Sequence, residues 1–231
     1  GVFIEALREA LSNRGIPVDM IGVKAPSRNR RSSASKSCCT APEGPSVASY
    51  CDYVRTSGDP LHAAYHDTQY GFPLQDDAAL FGRLILEINQ AGLSWTTILR
   101  KQEAFLRAYD GFDPARVAAY EEADRARLLA DAGIVRNRLK VDAAIANARR
   151  ILEFRAGGGS FQAWLDMHAP RSLEAWTKLF KGTFRFTGGE IVREFLVSTG
   201  YLPGAHDEGC PIHGLVLRLD PPWARESSRR S

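Results

Sequence analysis

The segment DAALFGRLILEINQ, residues 77–90, constrains the fold of this chain more strongly than any other stretch of its sequence. Its apolar residues recur at the spacing of an α-helix, and one stripe consists of Leu80, Phe81, Leu84, Ile85 and Ile88. Because Leu86 falls on the opposite side, we predict a helix that is buried on nearly all sides. Asp76 belongs to the residue types that cap helix N-termini and is the expected N-cap.

Helical spacing of apolar residues continues through the middle of the chain. It predicts further helices over residues 94–109, 114–130 (as one helix or two), 137–154, 160–167, 172–181 and 188–199. Alternating runs of β-branched residues, which indicate strands, are almost absent. No internal repeat is visible, so the expected fold class is all-α.

The two ends of the chain differ from this helical middle. Residues 25–48 are rich in Ser, Pro, Arg and Ala and nearly free of large apolar side chains, a composition typical of disorder. We therefore predict a disordered or loosely attached extension over residues 1–48, a helical domain over residues 49–213 and a flexible tail over residues 214–231.

The net charge of +3 comes from those two ends. Residues 1–48 contain 7 basic and 4 acidic residues and residues 214–231 contain 4 and 2, whereas residues 49–213 contain 19 basic and 21 acidic residues. Nucleic-acid binding by the domain would therefore need a local basic face. No apolar run approaches the ~20 residues of a membrane span, and no segment has the pattern of a secretory signal. We expect a cytoplasmic protein without a membrane partner.

The segment LLADAGIVRNRLKVDAAI, residues 128–145, has the layout of two helices joined by a tight turn. Gly133 suits the C′ position of the first helix, where a residue without Cβ enters the left-handed region. A helix-hairpin-helix turn offers backbone N–H groups and a helix N-terminus to a phosphate, and Arg136, Arg138 and Lys140 add positive charge beside it. The spacing alone also allows an ordinary connection within a helical bundle.

Metal-ligand side chains gather in the stretch HDEGCPIH, residues 206–213. His206 and Cys210 are four positions apart, which places them on one face of a helix or turn. A closed zinc site needs four nitrogen or sulfur ligands, and Cys51 with His66 is the natural second pair.

Other assignments of these ligand positions stay open from the residues alone. His213 competes with His206, and His62 competes with His66. The two cysteines of the set can instead form a disulfide, or each side chain can be an ordinary core residue.

Two further segments combine polar and aromatic residues, LHAAYHDTQY (61–70) and LEINQAGLSW (86–95). The first carries Tyr65 and Tyr70, and the second carries Glu87 at the margin of the apolar stripe described above. On periodicity alone Glu87 is a solvated acid at a helix edge. The alternative is a carboxylate that faces a pocket.

Together these segments resemble the 3-methyladenine DNA glycosylase I family, the Tag-type enzymes. The resemblance runs from Cys51 to Cys210 and is carried, in chain order, by YHDTQYG (65–71), LEINQAGLSW (86–95), ILRKQEAF (98–105), LLADAGIVRNRLKVDAAIANAR (128–149) and HDEGC (206–210). Several separated motifs in one order are far more specific than a single short pattern.

The resemblance implies a helix-hairpin-helix DNA glycosylase domain that flips a damaged base out of the duplex and hydrolyses the N-glycosidic bond of 3-methyladenine. It also implies one structural zinc ion per chain, joining the N- and C-terminal segments through Cys51, His66, His206 and Cys210. The implied partner is double-stranded DNA containing alkylated adenine, and the product is free 3-methyladenine. The expected state is a monomer.

The family's functional residues fall on identifiable positions of this sequence. The resemblance implies a pocket acid at Glu87, a stacking tryptophan at Trp95 and a pocket tyrosine at Tyr65, and these three are expected to carry catalysis. It implies that Gly92 and Leu93 fill the gap left by the extruded base. The chain departs from the family's usual pattern along the pocket wall, at Tyr53, His62, Tyr70, Ile88 and Asn89.

Helix-hairpin-helix glycosylases that also cut the DNA strand use a lysine near the start of the second hairpin helix. Asn137 occupies about that position here, and no lysine precedes Lys140 in the turn. The sequence therefore predicts a monofunctional glycosylase without lyase activity. One alternative is a module that binds damaged DNA without cutting it. Another is a hydrolase with a catalytic metal, which four protein ligands disfavour because they leave no position for water.

Overall fold

A computed structural model describes residues 49–225, and every regular element within that range is helical. The extension predicted over residues 1–48 and the end of the tail, residues 226–231, lie outside the described residues. The helices are α1 (Tyr50–Ser57), α2 (Pro60–Thr68), α3 (Asp77–Gln90), α4 (Trp95–Ala108), α5 (Pro114–Ala118), α6 (Glu122–Ala130), α7 (Arg138–Ala156), α8 (Phe161–His168), α9 (Leu173–Thr183), α10 (Gly189–Ser198) and α11 (Pro211–Arg218). The all-α prediction is confirmed for this part of the chain.

Helix α3 lies at the centre of the core. It contacts α4, α5, α7, α8 and α10, and each of its residues from Ala79 to Asn89 is buried. Asp76 is its N-cap, and the side chain accepts a hydrogen bond from the Ala79 amide, as the sequence predicted. Leu86 is 1% exposed, which confirms burial on all sides. Each buried aliphatic or aromatic side chain contributes about 1.5–3 kcal/mol, so α3 anchors the domain.

The other helices predicted in the middle of the chain are confirmed, with ends that shift by a few residues. The range 114–130 contains two helices, α5 and α6. Proline at the first position of α5 and a capping box between Glu121 and Asp124 at the start of α6 fix two separate starts.

Three helices were not predicted from the sequence: α1, α2 and α11. The buried residues of α2 are His62, Tyr65 and His66, so its inward face is polar and aromatic instead of aliphatic. A helix of this kind shows no apolar stripe, so hydrophobic periodicity does not predict it.

The C-terminal boundary predicted after residue 213 falls inside α11. Val216 and Leu219 are buried in a small cluster with Phe72, and the Trp223 amide donates to the carbonyl of Gly200. The domain therefore continues past residue 213, because apolar side chains of GLVLRLD cover the turn that follows α2. None of the helices in the described range is long and apolar enough to cross a membrane.

The connection between α6 and α7, residues 131–137, is called the hairpin turn below. Its Gly133 is not among the residues with positive φ, so the predicted left-handed C′ position is wrong; α6 instead ends at the extended C-cap Asp131. Close packing explains the glycine, since a Cβ would lie 2.9 Å from Asp131 Oδ1 and 3.1 Å from Ala104 Cβ. The Gly133 amide donates to Asp131 Oδ1 over 2.7 Å.

Candidate active site and metal cluster

An aromatic cluster lies between α1, α2 and the start of α4. Tyr65 and Trp95 meet edge to face with ring centroids 5.1 Å apart, and Tyr65 lies 5.7 Å from Tyr70. The cluster consists of Tyr50, Tyr53, His62, Tyr65, Tyr70 and Trp95. It thus brings together all the aromatic residues that the sequence assigned to a pocket. Rings arranged in this way present flat faces suited to a planar ligand.

Glu87 projects from the central helix α3 and is only 3% exposed, so the interpretation as a solvated acid is wrong. The pKa of its carboxyl is raised to about 8, chiefly by burial. The negative charge of Glu194 contributes to the rise, while Arg83 and a hydrogen bond from Ser198 act in the opposite direction. The Ser198 hydroxyl donates to Glu87 Oε1 over 3.4 Å. Glu87 is close enough to Tyr65 and Tyr70 for its charge to raise the pKa of both phenols.

A second charged residue of α3, Arg83, contacts the aromatic cluster. Arg83 is fully buried, and its Nη1 donates to the hydroxyl oxygen of Tyr65 over 2.6 Å. Arg83 lies one helical turn before Glu87, so the two charges share the interior end of the site. Because Arg83 is nearby, an ionised Glu87 is not an isolated buried charge.

Helix α10 closes the other side of the site. Tyr70 donates to Glu194 Oε2 over 3.3 Å, and the Gly71 amide donates to the Ser198 carbonyl over 3.0 Å. Gly71 has φ of +80°, and a Cβ there would meet Ala205 Cβ at 2.5 Å, so only glycine fits this position.

His62 is buried and held at both ring nitrogens, which excludes it as a rival metal ligand in this arrangement. Its Nδ1 lies 2.9 Å from the hydroxyl of Tyr50, and its Nε2 lies 2.8 Å from the hydroxyl of Thr96. His62 therefore joins α1 to the start of α4 and fixes one wall of the aromatic cluster. His213 is not among the four grouped ligand residues, and its ring centroid lies 6.2 Å from that of Trp223.

The four residues selected by spacing form one compact group, called the metal cluster below: Cys51, His66, His206 and Cys210. Their ligand atoms all lie within 4.8 Å of one another. His66 Nε2 lies 3.1 Å from His206 Nδ1 and 3.3 Å from Cys51 Sγ, and Cys210 Sγ lies 3.8 Å from His66 Nε2. Two imidazoles and two thiols at this separation can hold one transition-metal ion.

The groups behind the metal cluster orient its ligands. His66 Nδ1 lies 2.7 Å from Asp67 Oδ1, and His206 Nε2 lies 2.7 Å from the Tyr70 carbonyl oxygen. The Asp207 amide donates to Cys51 Sγ over 3.4 Å. In each histidine, one ring nitrogen faces an oxygen acceptor and the other nitrogen faces the remaining ligands, as in metal-binding histidines.

Residues 91–94, which join α3 to α4, are called the plug turn below. Gly92 has φ of +82° with open space around it, and Leu93 is 39% exposed. The Leu93 amide donates to the Gln90 carbonyl over 2.7 Å, and the Ser94 hydroxyl caps α4. The plug turn therefore presents an exposed apolar side chain two positions before Trp95, a member of the aromatic cluster.

The charged residues assigned to DNA binding do not share one environment. Arg136 and Arg138 are exposed, and Arg138 pairs with Glu122 over 3.4 Å and Asp142 over 3.8 Å. Lys140 is only 5% exposed, and its ammonium group donates to the carbonyl oxygens of Asn89 and Ala91, so its environment differs from that of the two arginines.

Sequence reasoning missed several residues that build the site. Tyr50 lies at the middle of the aromatic cluster, 5.1 Å from Tyr70 between ring centroids. Glu194 and Ser198 act on Glu87 from α10. Lys101 donates from α4 to the hairpin turn. Only Tyr50 had a visible signal, since it adjoins the ligand Cys51.

Comparisons with known proteins agree with this arrangement. The family model described as methyladenine glycosylase matches residues 55–179. DNA-3-methyladenine glycosylase 1 of Escherichia coli (strain K12) is 38% identical over 179 residues, covering 69% of this chain and 94% of that protein. A crystal structure of 3-methyladenine DNA glycosylase I has a TM-score of 0.61 at 37% identity, covering 66% of this chain and 94% of the other. The Staphylococcus aureus enzyme, solved to explain 3-methyladenine recognition, has a TM-score of 0.61 at 35% identity and covers 67% and 92%.

Fold and site together define a helical enzyme with an acid buried among aromatic rings. The matches to a family model over more than half of the chain and to full-length relatives identify that enzyme further. The chain belongs to the 3-methyladenine DNA glycosylase I family and is a glycosylase of that class.

Proposed function

We propose that this chain excises 3-methyladenine from alkylated DNA by hydrolysing the bond between the base and the sugar. The observation that carries the proposal is Glu87, an acid buried between Arg83 and Ser198 whose charge acts on the phenols of Tyr65 and Tyr70. Relatives whose names state this activity support the choice of substrate.

Alkylation at N3 makes adenine cationic, and this charge is what the pocket selects. Burial disfavours the ionised form of Glu87, as its pKa of about 8 indicates. A cationic base offsets that penalty and favours the carboxylate, whereas neutral adenine does not. The faces of Tyr65 and Trp95 add stacking and cation–π attraction.

Bond cleavage then depends chiefly on the substrate's own weakness. The bond between the sugar C1′ and the base nitrogen breaks, and its electron pair passes to the cationic ring, so that the base leaves as neutral 3-methyladenine. Water adds to the sugar carbon and loses a proton. Glu87 selects the cationic base on binding and orients it for departure, and no strong base is needed to activate water.

Access to the base requires extrusion from double-stranded DNA. We assign the gap-filling role to Leu93, supported by its exposure and by the open left-handed conformation of Gly92. We assign phosphate binding to the helix-hairpin-helix motif made by α6, the hairpin turn and α7, with Arg136 and Arg138 as exposed charges.

We propose that the enzyme is monofunctional. Asn137 occupies the N-cap of α7, where its side chain accepts from the Lys140 amide over 3.2 Å. The amide nitrogen of asparagine is not a nucleophilic amine, so this side chain cannot form a Schiff base with the sugar. Incubation with substrate and borohydride should trap no covalent complex, and trapping would contradict this part of the proposal.

We propose one structural zinc ion per chain in the metal cluster. Tetrahedral zinc with Cys₂His₂ ligands requires ligand atoms about 3.3–3.8 Å apart, as follows from bond lengths of about 2.3 Å to sulfur and 2.0–2.1 Å to nitrogen. Five of the six separations run from 3.1 Å between the histidine nitrogens to 3.9 Å between Cys210 Sγ and His206 Nδ1, close to that requirement, and the two sulfur atoms lie within 4.8 Å of each other. When bound, zinc would join α1 and α2 to the segment before α11 and supply no catalytic water, since four protein ligands fill its coordination.

We further propose that the enzyme acts as a monomer on double-stranded DNA in the cytoplasm of a bacterium, on the nucleoid. The relatives from Escherichia coli and Haemophilus influenzae support the bacterial setting.

The test is release of bases from methylated duplex DNA, separated by base identity. We expect free 3-methyladenine as the main product, with adenine retained in the DNA. Tight binding to methylated DNA without release of any base over long incubation would instead make the chain a binding module. Release that persists unchanged in Glu87→Ala would show that the pocket assignment is wrong.

A further inference from the structure

Two lysines lie between the plug turn and the hairpin turn, and neither belongs to the pocket or to the metal cluster. Lys140 is in the first turn of α7, directly after the hairpin turn, and Lys101 is in α4, directly after the plug turn. Lys101 donates to two carbonyl oxygens of the hairpin turn. Lys140 donates to the carbonyl oxygens of Asn89, in the last turn of α3, and of Ala91, in the plug turn.

The Lys140 ammonium group is committed to the C-terminal end of α3. Its Nζ donates to the Asn89 carbonyl over 3.0 Å and to the Ala91 carbonyl over 2.7 Å. The last carbonyls of a helix have no partner within the helix, and they carry its partial negative charge. A buried cation placed there satisfies them by charge-assisted hydrogen bonds and fixes the residues at which the plug turn begins.

Burying the ammonium group of Lys140 costs free energy. Lys140 is 5% exposed, and burial lowers its pKa. Its Nζ also lies 5.9 Å from the ring centroid of Phe186, which covers it. An exposed lysine would add charge for DNA without this penalty, so the position favours a structural contact over a phosphate contact.

Lys101 makes the reciprocal contact. Its Nζ donates to the carbonyl oxygens of Ala132 over 2.8 Å and Gly133 over 3.0 Å. These carbonyls belong to the hairpin turn that is assigned to phosphate binding. Because the turn's carbonyls are held toward α4, the turn has a fixed position relative to the helix that follows the plug turn.

We propose that Lys140 and Lys101 are positioning residues that lock the plug turn and the hairpin turn into one rigid unit, so that docking the hairpin on the DNA backbone places Leu93 in the duplex. The proposal rests on the function proposed above and adds a mechanical coupling between its two DNA contacts. Neither lysine touches the extruded base.

The coupling matters only where a duplex has to be opened. In duplex DNA the plug turn fills the gap left in the stack, whereas a single strand has no opposite strand to keep apart. A defect in positioning Leu93 therefore lowers activity on duplex DNA selectively, while a general loss of folding lowers activity on both substrates.

The experiment compares Lys140→Met with Lys140→Arg, and uses Lys178→Met, an exposed lysine of α9, as the matched control. With methylated duplex DNA, Lys140→Met should lower kcat/KM by about tenfold or more, the loss expected when hydrogen bonds from a charged group disappear. With methylated single strands the loss should stay within about twofold, at the level of surface substitutions. Lys140→Arg should recover most of the duplex activity, and Lys178→Met should behave as wild type. Equal losses on the two substrates would overturn the proposal.

A double substitution tests the route through the plug turn. If Lys140 acts by placing Leu93, then Lys140→Met should add little to the loss already caused by Leu93→Ala on duplex DNA. Additive losses would show that Lys140 acts elsewhere.

Hydrogen exchange separates this inference from the proposed function. In Lys140→Met, amides of the plug turn should exchange faster while amides inside α7 keep their protection. This outcome supports the lock even if the wild-type chain releases no base, in which case only the proposed function fails. Unchanged exchange at Leu93 and Ser94 would overturn the lock even if base release is observed.

Discussion

The carbonyl oxygen of Tyr70 lies 2.7 Å from Nε2 of His206, so a pocket tyrosine and a metal-cluster histidine share one hydrogen bond. The side chain of the same tyrosine donates to Glu194, whose charge acts on Glu87. A change in the metal cluster can thus reach the pocket acid through a short chain of contacts. The aromatic cluster and the metal cluster have separate chemistry, but both depend on contacts of Tyr70.

Replacing the pocket acid should reduce excision more than it reduces stability. In Glu87→Gln the side chain keeps its size but cannot oppose a cationic base. We expect kcat/KM on methylated DNA to fall about a hundredfold, the order of about 3 kcal/mol that a buried charged hydrogen bond contributes. The matched control is Glu174→Gln, an exposed acid on α9, which should leave the rate unchanged. Full activity of Glu87→Gln would remove the acid from the mechanism.

Stability should depend on pH through the same carboxyl. Its pKa is about 8 when folded against a usual value of 4.5, so between these values the folded protein keeps a proton that the unfolded chain has lost. Raising the pH through this window therefore destabilises the fold, by up to about 5 kcal/mol for a shift of this size. The stability advantage of Glu87→Gln over wild type should grow from about pH 5 to about pH 8 and then level off. Urea unfolding at several pH values measures it, and a constant difference would contradict the raised pKa.

The rate should follow the same ionisation in the opposite direction. Because only the carboxylate of Glu87 opposes the cationic base, kcat/KM should rise with pH up to about 8, the pKa of the free enzyme. The apparent pKa in kcat should be lower, since a bound cation favours the carboxylate. A pH profile that is flat in wild type, or that keeps its slope in Glu87→Gln, would speak against this assignment.

Removing a metal ligand should unfold the part of the domain that the cluster joins. We expect Cys51→Ser and Cys210→Ser to lose bound zinc and thermal stability together, because binding and folding are coupled at a structural site. Metal analysis alongside thermal unfolding measures both. A variant that keeps its stability but loses activity would point to a catalytic metal instead.

Two glycines provide a matched pair for the packing of the hairpin turn. In Gly133→Ala the new methyl meets Ala104 Cβ at 3.1 Å, so we expect a loss of about 1–2 kcal/mol and weaker DNA binding. In Gly182→Ala, within α9, the methyl meets open space, and alanine should stabilise the helix by about 0.5–1 kcal/mol. Denaturant unfolding of both variants decides the point. Equal changes in the free energy of unfolding would show that the hairpin turn shifts to accommodate the added methyl group.

The central helix and the metal cluster could be predicted because their signals are local or chemically distinctive. Apolar spacing and the N-cap Asp76 defined α3, and few arrangements other than a metal site bring two cysteines and two histidines together. The burial of individual charged side chains could not be predicted in the same way. Glu87 and Lys140 are both charged residues near the edges of patterns, and the pattern alone favours exposure for each, whereas packing buries both.

Residues supplied from distant helices were the hardest to anticipate. Glu194 and Ser198 reach the pocket only because α10 packs on α3, a contact that no short-range spacing encodes. Gly133 was assigned a left-handed conformation, and its actual reason is the neighbouring Ala104 on α4. Both cases depend on tertiary contacts and not on the local sequence.

The position of the metal cluster has a topological consequence. Cys51 and His206 are 155 positions apart, so a bound metal converts nearly the whole domain into a ring. By the chain-entropy argument for cross-links, closing a loop of this length restricts the unfolded chain by about 5 kcal/mol. A single backbone cut in the exposed segment Gly157–Gly159 would open that ring without separating its ends. The two pieces would remain joined through the bound ion as well as through the packing of α8 and α10 on α3.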